Sequence, residues 1–457
     1  MTKFLWGNSS SSMQTEGAWN LDGKGKSVYD VISAGPHRSD WKDGIDAYHR
    51  YQEDIDLMKE EGFNCYRFQI SWSRVDPLGD GHFNPEGIAF YHKIVDALIK
   101  AGIEPYINLY HFDMPLKLAE KYNGFLSKQV VKAYCRYAYR MINEFKDQVH
   151  YWMTFNEQNF SFMDYDHSFG ISGCLDKTPD INKVYQIGHN MMVAHAKVVN
   201  YIHRHTDNKV GGMVAYQEVY PYNCKPENVF VAKQINTFFN QNVINVFVDG
   251  RYLPSFWAYI KNHHISFNYT NSELNDIAKA KVDFIAFSYY QTETINVNNL
   301  DSKLYINDYL NKYQVKNPFL KRTDFDWEID PVGFRNIISS LYNRYVVPIF
   351  PVENGIGQRE ELPNTPDRMI QDDYRIKYHK DHLSELTKAV KIDGAKVLGY
   401  LGWGLIDIPS SSGDVNKRYG TVFVNRTNYE LKDMRRIPKK SFYWFQKMIK
   451  NDEFNLN

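Results

Sequence analysis

Apolar positions along this chain follow two alternating periods. Short strand-like runs give way repeatedly to longer segments in which apolar residues return every three or four positions. The strand-like runs are FLWGNS, NCYRFQISWS, EPYINLYHF, HYWMTFNE, VGGMVAYQEVY, DFIAFSYYQ, VPIFPVEN and KVLGYLGWGLID. Between them, DAYHRYQEDIDLMKEEGF puts Tyr48, Tyr51, Ile55, Leu57 and Met58 near helical spacing. NPEGIAFYHKIVDALIKAG carries a full set of helix signals: Asn84 as cap, Pro85 at the first helical position, Glu86 in the first turn and Gly102 at the close. KQVVKAYCRYAYRMINEF, VYQIGHNMMVAHAKVVNYI, DPVGFRNIISSLYNRY and DDYRIKYHKDHLSELTKAV repeat the pattern. Strand and helix alternating eight times predict an α/β chain, a single (β/α)8 TIM barrel over residues 1–457. Insertions at its C-terminal face are expected near 160–180 and 293–328.

In such a barrel, chemistry collects where the strands end. The residues at those ends are polar and reactive in a way a core would not choose. Gln14 follows strand one, Arg67 lies in strand two, and His111 ends strand three. Asn156 and Glu157 end strand four, Tyr289 and Tyr290 lie in strand six, Glu353 ends strand seven and Trp403 lies in strand eight.

Composition narrows the classes of partner. Lys+Arg and Asp+Glu both total 54, so no general field gathers nucleic acid or an anionic membrane. Any anion must be held by a local cluster. No apolar run approaches the ~18–20 residues of a membrane-spanning helix. The opening MTKFLWGNSSSS has too short an apolar stretch for a signal peptide. Cys65, Cys135, Cys174 and Cys224 lie far apart with no CxxC pair, which suits reduced thiols in a cytoplasm. Aromatic residues make up 16% of the chain, enough to fill a core and also to line a cleft where sugar faces stack.

TFNEQN and FPVENG place Glu157 and Glu353 at the mouths of strands four and seven. Each could cap a loop or pair with an arginine. Two carboxylates facing one cleft are also the apparatus of glycoside hydrolysis, where retaining enzymes hold them about 5–5.5 Å apart. The accompanying histidine, arginine and aromatic residues favour the second reading. His111 and Asp113 could be imagined as metal ligands, but no second histidine ends another strand, so neither metal nor cofactor is expected. His189 and His195, inside the fourth helical segment, read as ordinary structural residues.

TFNEQN, VENG, YRFQISWSR, LYHFDMP and FLWGNSSSSMQTEGA together resemble the signatures of glycoside hydrolase family 1, and the likeness spans nearly the whole chain. The resemblance implies that Glu157 is the general acid/base and Glu353 the nucleophile. It implies sugar-binding roles for Gln14, His111 and Asn156, support of Glu353 by Arg67 and Tyr290, and a sugar platform at Trp403. Met13, Phe112 and Ser288 depart from the usual residues, and none of the three is expected to touch the carboxylates.

After strand eight, relatives that act on plain glucosides carry a glutamate that binds the hydroxyls on carbons 4 and 6. Here LIDIPSSSGDVNKRYG fills that stretch, with Ser410 and Ser411 at the positions of the glutamate and the tryptophan that follows it. A carboxylate there would repel a 6-phosphate; a serine can donate to one, and Lys417 and Tyr419 supply a cation and a hydroxyl. A solvated basic loop is the plainer reading, but loss of the acidic clamp in the same loop argues against it. Ser410, Lys417 and Tyr419 resemble the phosphate-binding loop of the 6-phospho-β-glycosidase branch. Arg418 is expected to face outward, and Ser411 leans towards glucose over galactose.

The expectation is a cytoplasmic, retaining 6-phospho-β-glucosidase, needing no metal, acting on a small 6-phosphoglycoside such as cellobiose 6-phosphate. A 6-phospho-β-galactosidase or dual-specificity enzyme is the alternative, and a non-catalytic phosphosugar binder a second. Monomer and homodimer both remain open.

Overall fold

A computed structural model describes residues 3–301, 303–363 and 369–456. Residue 302 of the expected 293–328 insertion, and the extreme ends of the 1–457 span, lie outside these. All eight expected strands form: β1 (Leu5–Ser9), β2 (Cys65–Gln69), β3 (Glu104–Asn108), β4 (Tyr151–Met153), β5 (Lys209–Ala215), β6 (Phe284–Tyr289), β7 (Ile349–Asn354) and β8 (Gly399–Trp403). They lie in the order β7–β6–β5–β4–β3–β2–β1–β8, every named pair parallel. The seam between β7 and β8 closes through Ile349 N–H to the Lys396 carbonyl (2.9 Å) and Leu398 N–H to the Ile349 carbonyl (3.0 Å). The chain is a (β/α)8 barrel.

The expected helices span Ala47–Glu61, Pro85–Ala101, Lys128–Phe145, Ile181–His205, Pro331–Tyr345 and Asp373–Lys391, and a further one spans Lys440–Lys450. Gly62 and Gly102 end the first two in the left-handed region, where a residue without Cβ carries no steric penalty. Asn84 stands at the N-cap position, but its side chain accepts no N–H of its own helix; its amide donates to the Asp22 and Arg74 carbonyls. The sequence pattern did not resolve the β5–β6 crossover. It holds helices Pro226–Ile235, Asn242–Asp249, Pro254–Asn262 and Asn271–Lys279. Pro226 and Pro254 only open their helices; between Pro226 and Asp249 the run is continuous, but a π-helical segment at Asn236–Gln241 shifts its period.

Alternation along the strands builds the platform for the site. Inside the barrel, Cys65, Tyr106, Met153, Met213, Phe284, Phe350 and Leu401 form a plug, with Tyr106 stacked on Phe350 at 5.7 Å between centroids. Burying each large apolar side chain contributes about 1.5–3 kcal/mol. Gly211 makes room for it: a Cβ there would lie 2.2 Å from the Phe284 ring. One pleat beyond Cys65, β2 turns Arg67 inward, and one pleat beyond that Gln69.

β7 contains a bulge. Pro351 pairs with Phe287 but Glu353 pairs with Ser288, leaving Val352 as the extra residue. Pro351 has no N–H to give a regular ladder, and bulges re-aim the side chains beside them. The Val352 carbonyl freed from the ladder accepts from Ser9 Oγ at 2.5 Å.

Candidate active site

A cavity of about 540 Å³ opens over the C-terminal ends of the strands. Gln14, His111, Glu157, Tyr290, Glu353, Trp403, Ser411 and Tyr419, all anticipated from sequence, line it. Several sit just past their strands: His111 and Glu157 lie beyond the last ladder residues, Asn108 and Met153. Phe112 and Glu157 both adopt positive φ, 72° and 41°. Residues with a Cβ adopt this region at a cost, and such strain concentrates at functional sites.

The Glu353 carboxylate is held from two sides. Arg67 Nη1 donates to Oε1 at 2.5 Å and Tyr290 OH to Oε2 at 2.9 Å. Burial pushes this carboxyl above its ordinary value, while the Arg67 charge and both hydrogen bonds pull it back. Arg67 reaches Asn156 Oδ1 with its other terminal nitrogen, and Asn156 Nδ2 lies 3.1 Å from His111 Nε2. His111 is kept neutral by burial and then by the nearby Arg67, both of which lower its proton affinity. Its ring lies 5.5 Å from that of Trp403.

Glu157 has a different setting. Burial first, then the Glu353 charge, push its carboxyl up to about 8, against the lowering effects of Ser288 and Arg67. Two carboxylates in one cavity thus part in proton affinity, and Glu157 keeps its proton near neutral pH. Ser288 Oγ donates to Glu157 Oε1 at 2.5 Å. That corrects the expectation that no departure from the usual residues touches a carboxylate, and a small residue in DFIAFSYYQ gave no hint of it. His195 is structural as expected, its Nδ1 bonded to Thr154 Oγ1 at 2.7 Å.

The loop after β8 is tightly self-bonded. Gln14 Nε2 donates to the Pro409 carbonyl at 2.8 Å. Ser410 Oγ accepts from Asp414 N–H at 3.1 Å and lies 2.9 Å from Ser412 Oγ, so this hydroxyl also closes its own turn. Ser411 and Tyr419 reach the cavity wall. Lys417 sits behind it, with Nζ 3.2 Å from the centroid of Trp327, 4.8 Å from Phe325 and 5.6 Å from Tyr419. Burial pushes its ammonium down to about 8, with Asp414 pulling the other way. Phe325 and Trp327 come from the 293–328 insertion. Sequence placed that insertion but could not show that its rings cover a lysine 90 residues on.

Arg418 does not face outward. It is buried, donating to the Val424 and Arg426 carbonyls at 2.9 and 2.6 Å, with Asp407 3.5 Å away. In the two-residue strand Lys417–Arg418, paired with Gln358–Arg359, neighbouring side chains point to opposite faces. Lys417 therefore turns towards Trp327, and Arg418 must turn into the protein. Beneath it, Arg375 donates to the Ile356 and Tyr419 carbonyls at 2.8 and 2.6 Å and pairs with Glu360 and Asp372 at 2.7 and 2.9 Å. Lys439 bridges Glu360 and Asp407. This buried ionic layer ties the segment after Glu353 to the lysine loop.

Residues 1–454 match the family model described as glycosyl hydrolase family 1. The chain is 35% identical to an aryl-phospho-beta-D-glucosidase, BglC, of Bacillus subtilis, over 98% of this chain and 97% of the relative. It is 37% identical to a 6-phospho-beta-glucosidase of Dickeya chrysanthemi, over 98% and 96%. Among solved structures, a rice beta-glucosidase superposes with a TM-score of 0.87 at 29% identity, over 97% of each chain. A family 1 beta-glucosidase from Thermotoga maritima gives 0.86 at 27%, over 98% and 97%. With two unlike carboxylates at the mouth of a (β/α)8 barrel and a family match along its length, the chain belongs to glycosyl hydrolase family 1.

Proposed function

We propose that the protein is a retaining 6-phospho-β-glucosidase that releases glucose 6-phosphate from β-glucosides carrying a 6-phosphate. One observation carries the reading: a buried pair of carboxylates of unequal proton affinity faces a loop with serines and a caged lysine in place of an acidic sugar clamp. The names of the Bacillus and Dickeya relatives support the phosphorylated substrate class.

In the first step Glu353 bonds to the anomeric carbon as the glycosidic C–O bond breaks, and Glu157 passes its proton to the departing oxygen. Arg67 and Tyr290 hold the nucleophile ionised and oriented. Esterifying Glu353 removes the second-largest influence raising Glu157's proton affinity, so Glu157 then loses its proton readily and acts as base towards water. Gln14, His111 and Asn156 bind sugar hydroxyls and Trp403 packs against the ring. Ser410, Lys417 and Tyr419 take the phosphate, and Ser411 leaves room for glucose. The whole span 1–457 works as one catalytic domain. Four free cysteines, three of them buried, suit a cytoplasmic enzyme.

The test compares hydrolysis of nitrophenyl β-glucoside with and without the 6-phosphate, and of the 6-phosphogalactoside. The phosphorylated glucoside is expected to be hydrolysed fastest. Faster turnover of the unphosphorylated glucoside refutes the role of the lysine loop, and faster turnover of the galactoside refutes the role of Ser411.

A further inference from the structure

Ser288 stands abreast of one carboxylate and is bonded to the other. It pairs in register with Glu353 across β6 and β7, and its hydroxyl donates to Glu157 Oε1 at 2.5 Å. The residue is 1% exposed, at the end of a strand held on both sides by β5 and β7. Two ladders fix its backbone and hence its Cα–Cβ direction, and the bond to Glu157 selects the position of its Oγ. Glu157 lies in a left-handed turn after β4, and this bond ties its carboxyl to the strand beside the nucleophile.

We propose that Ser288 is the positioning residue of the acid/base: by donating to Oε1 it leaves Oε2 to carry the transferable proton, and it then steadies the carboxylate in the second half of the reaction. The inference rests on the assignment of Glu157 made above. A neutral carboxyl accepts best at its carbonyl oxygen and donates from the other, so a fixed donor at Oε1 selects which oxygen carries the proton. In glycosylation the Oε2 proton moves to the departing oxygen as Glu353 bonds to the anomeric carbon. In deglycosylation water attacks that carbon, the bond to Glu353 breaks, and the water proton passes to Glu157. Ser288 donates throughout, and most strongly while Glu157 is ionised.

Other ionisable groups act on Glu157 from several sides. Glu353 raises its proton affinity and Arg67 lowers it, while Tyr290 and Tyr419 interact with its charge. His111, Asp164, Asp166, His167 and Glu293 line the same cavity. Ser288 is distinguished from all of these by direct contact.

The experiment measures the pH dependence of kcat for Ser288→Ala with two 6-phospho-β-glucosides, because saturating substrate keeps Lys417 from contributing. With a dinitrophenyl leaving group, which needs no acid and makes deglycosylation limiting, the acid limb is expected to rise by about one pH unit. Below that limb the rate falls roughly tenfold, and azide restores it. With a phenyl leaving group, where glycosylation limits, the basic limb is expected to rise by a similar amount. Ser288→Thr, which keeps the hydroxyl, should hold the wild-type limbs, and Ser288→Cys, a near-isosteric weak donor, takes the place of alanine if that variant does not fold. A uniform loss at every pH with both limbs unmoved overturns the proposal. Glu157→Gln separates the two levels of inference. If it leaves phenyl glucoside hydrolysis intact, the acid/base assignment falls and Ser288's role with it; if only the serine variants leave the limbs in place, the Ser288 proposal alone falls.

Discussion

Replacing Lys417 with methionine should remove the preference for a phosphorylated sugar and, at neutral pH, make the fold more stable. The ammonium lies against Trp327, Phe325 and Tyr419, and the residue is only 8% exposed. Its pKa falls from 10.5 to about 8, which corresponds to roughly 3 kcal/mol opposing charge in the folded state. The sign follows from the direction. Below pH 8 the lysine is charged both folded and unfolded, so the full cost is present; it fades as pH rises towards 10.5. Methionine removes that cost, and for a chain of this length the gain at pH 7 is about 3 °C in Tm. Against this stands the lost phosphate. Attraction at 4 Å is about 4 kcal/mol per unit charge near a protein surface, and giving up a desolvated cation–π contact offsets about 2 kcal/mol of it. Counted for one of the phosphate's charges, the remainder predicts a fall of at least roughly 30-fold in the ratio of kcat/KM for nitrophenyl 6-phospho-β-glucoside to that for nitrophenyl β-glucoside. The wild-type KM for the phosphorylated substrate should climb above pH 8, and that of the variant should not. An unchanged substrate ratio, or a lower Tm at pH 7, refutes the reasoning.

Three further outcomes are expected. Glu353→Gln should abolish turnover and lower the pKa of Glu157 towards the ordinary carboxylate range, because the Glu353 charge is the second cause raising it; a carbon-13 NMR titration of the labelled carboxyl reads this. Arg375→Met leaves Asp372 without its cation and Glu360 with Lys439 alone and should cost about 3–5 kcal/mol, seen as a Tm lower by roughly 3–5 °C and a weaker phosphate preference as the Tyr419 loop loosens. Ser411→Trp should shift the ratio of 6-phosphoglucoside to 6-phosphogalactoside hydrolysis towards the galactoside, measured with the two nitrophenyl substrates.

The barrel was legible because its strands and helices differ in period, and both periods are written in single residues. The strand ends were legible for the same reason: Arg67, Glu157 and Glu353 are costly where an apolar residue would do. Partners across the barrel were harder to read. Ser288 is chemically ordinary on its own; the register between β6 and β7 sets it abreast of Glu353, and only the folded barrel brings its hydroxyl to Glu157. The bulge at Val352 leaves one mark in the sequence, Pro351 inside an apolar run. Arg418 is expected outward from sequence, whereas the two-residue strand sends Lys417 and Arg418 to opposite faces and turns Arg418 into the protein. The Trp327 and Phe325 rings reach Lys417 from an insertion whose path no periodicity describes.

These supports explain why the phosphate loop and the ionic layer beneath it belong together. A lysine used for a dianion must not be neutralised by a carboxylate of its own. Asp414 is near enough to attract it but forms no ion pair with it, and its Oδ1 accepts from Asn428 Nδ2 at 2.8 Å and Asn416 N–H at 2.9 Å. Among the described residues, Glu360 is spent on other cations, held at about 2 by Lys439 and Arg375 against the burial that raises it, and Asp407 lies against Lys439 and Arg418. Among the described residues, aromatic rings are what faces the Lys417 ammonium, and they solvate it far less well than water does. The lysine is therefore kept as an uncompensated cation, destabilising on its own and relieved when an anion enters. A glutamate at position 410 would undo this arrangement, because it would repel the phosphate and offer Lys417 a competing partner.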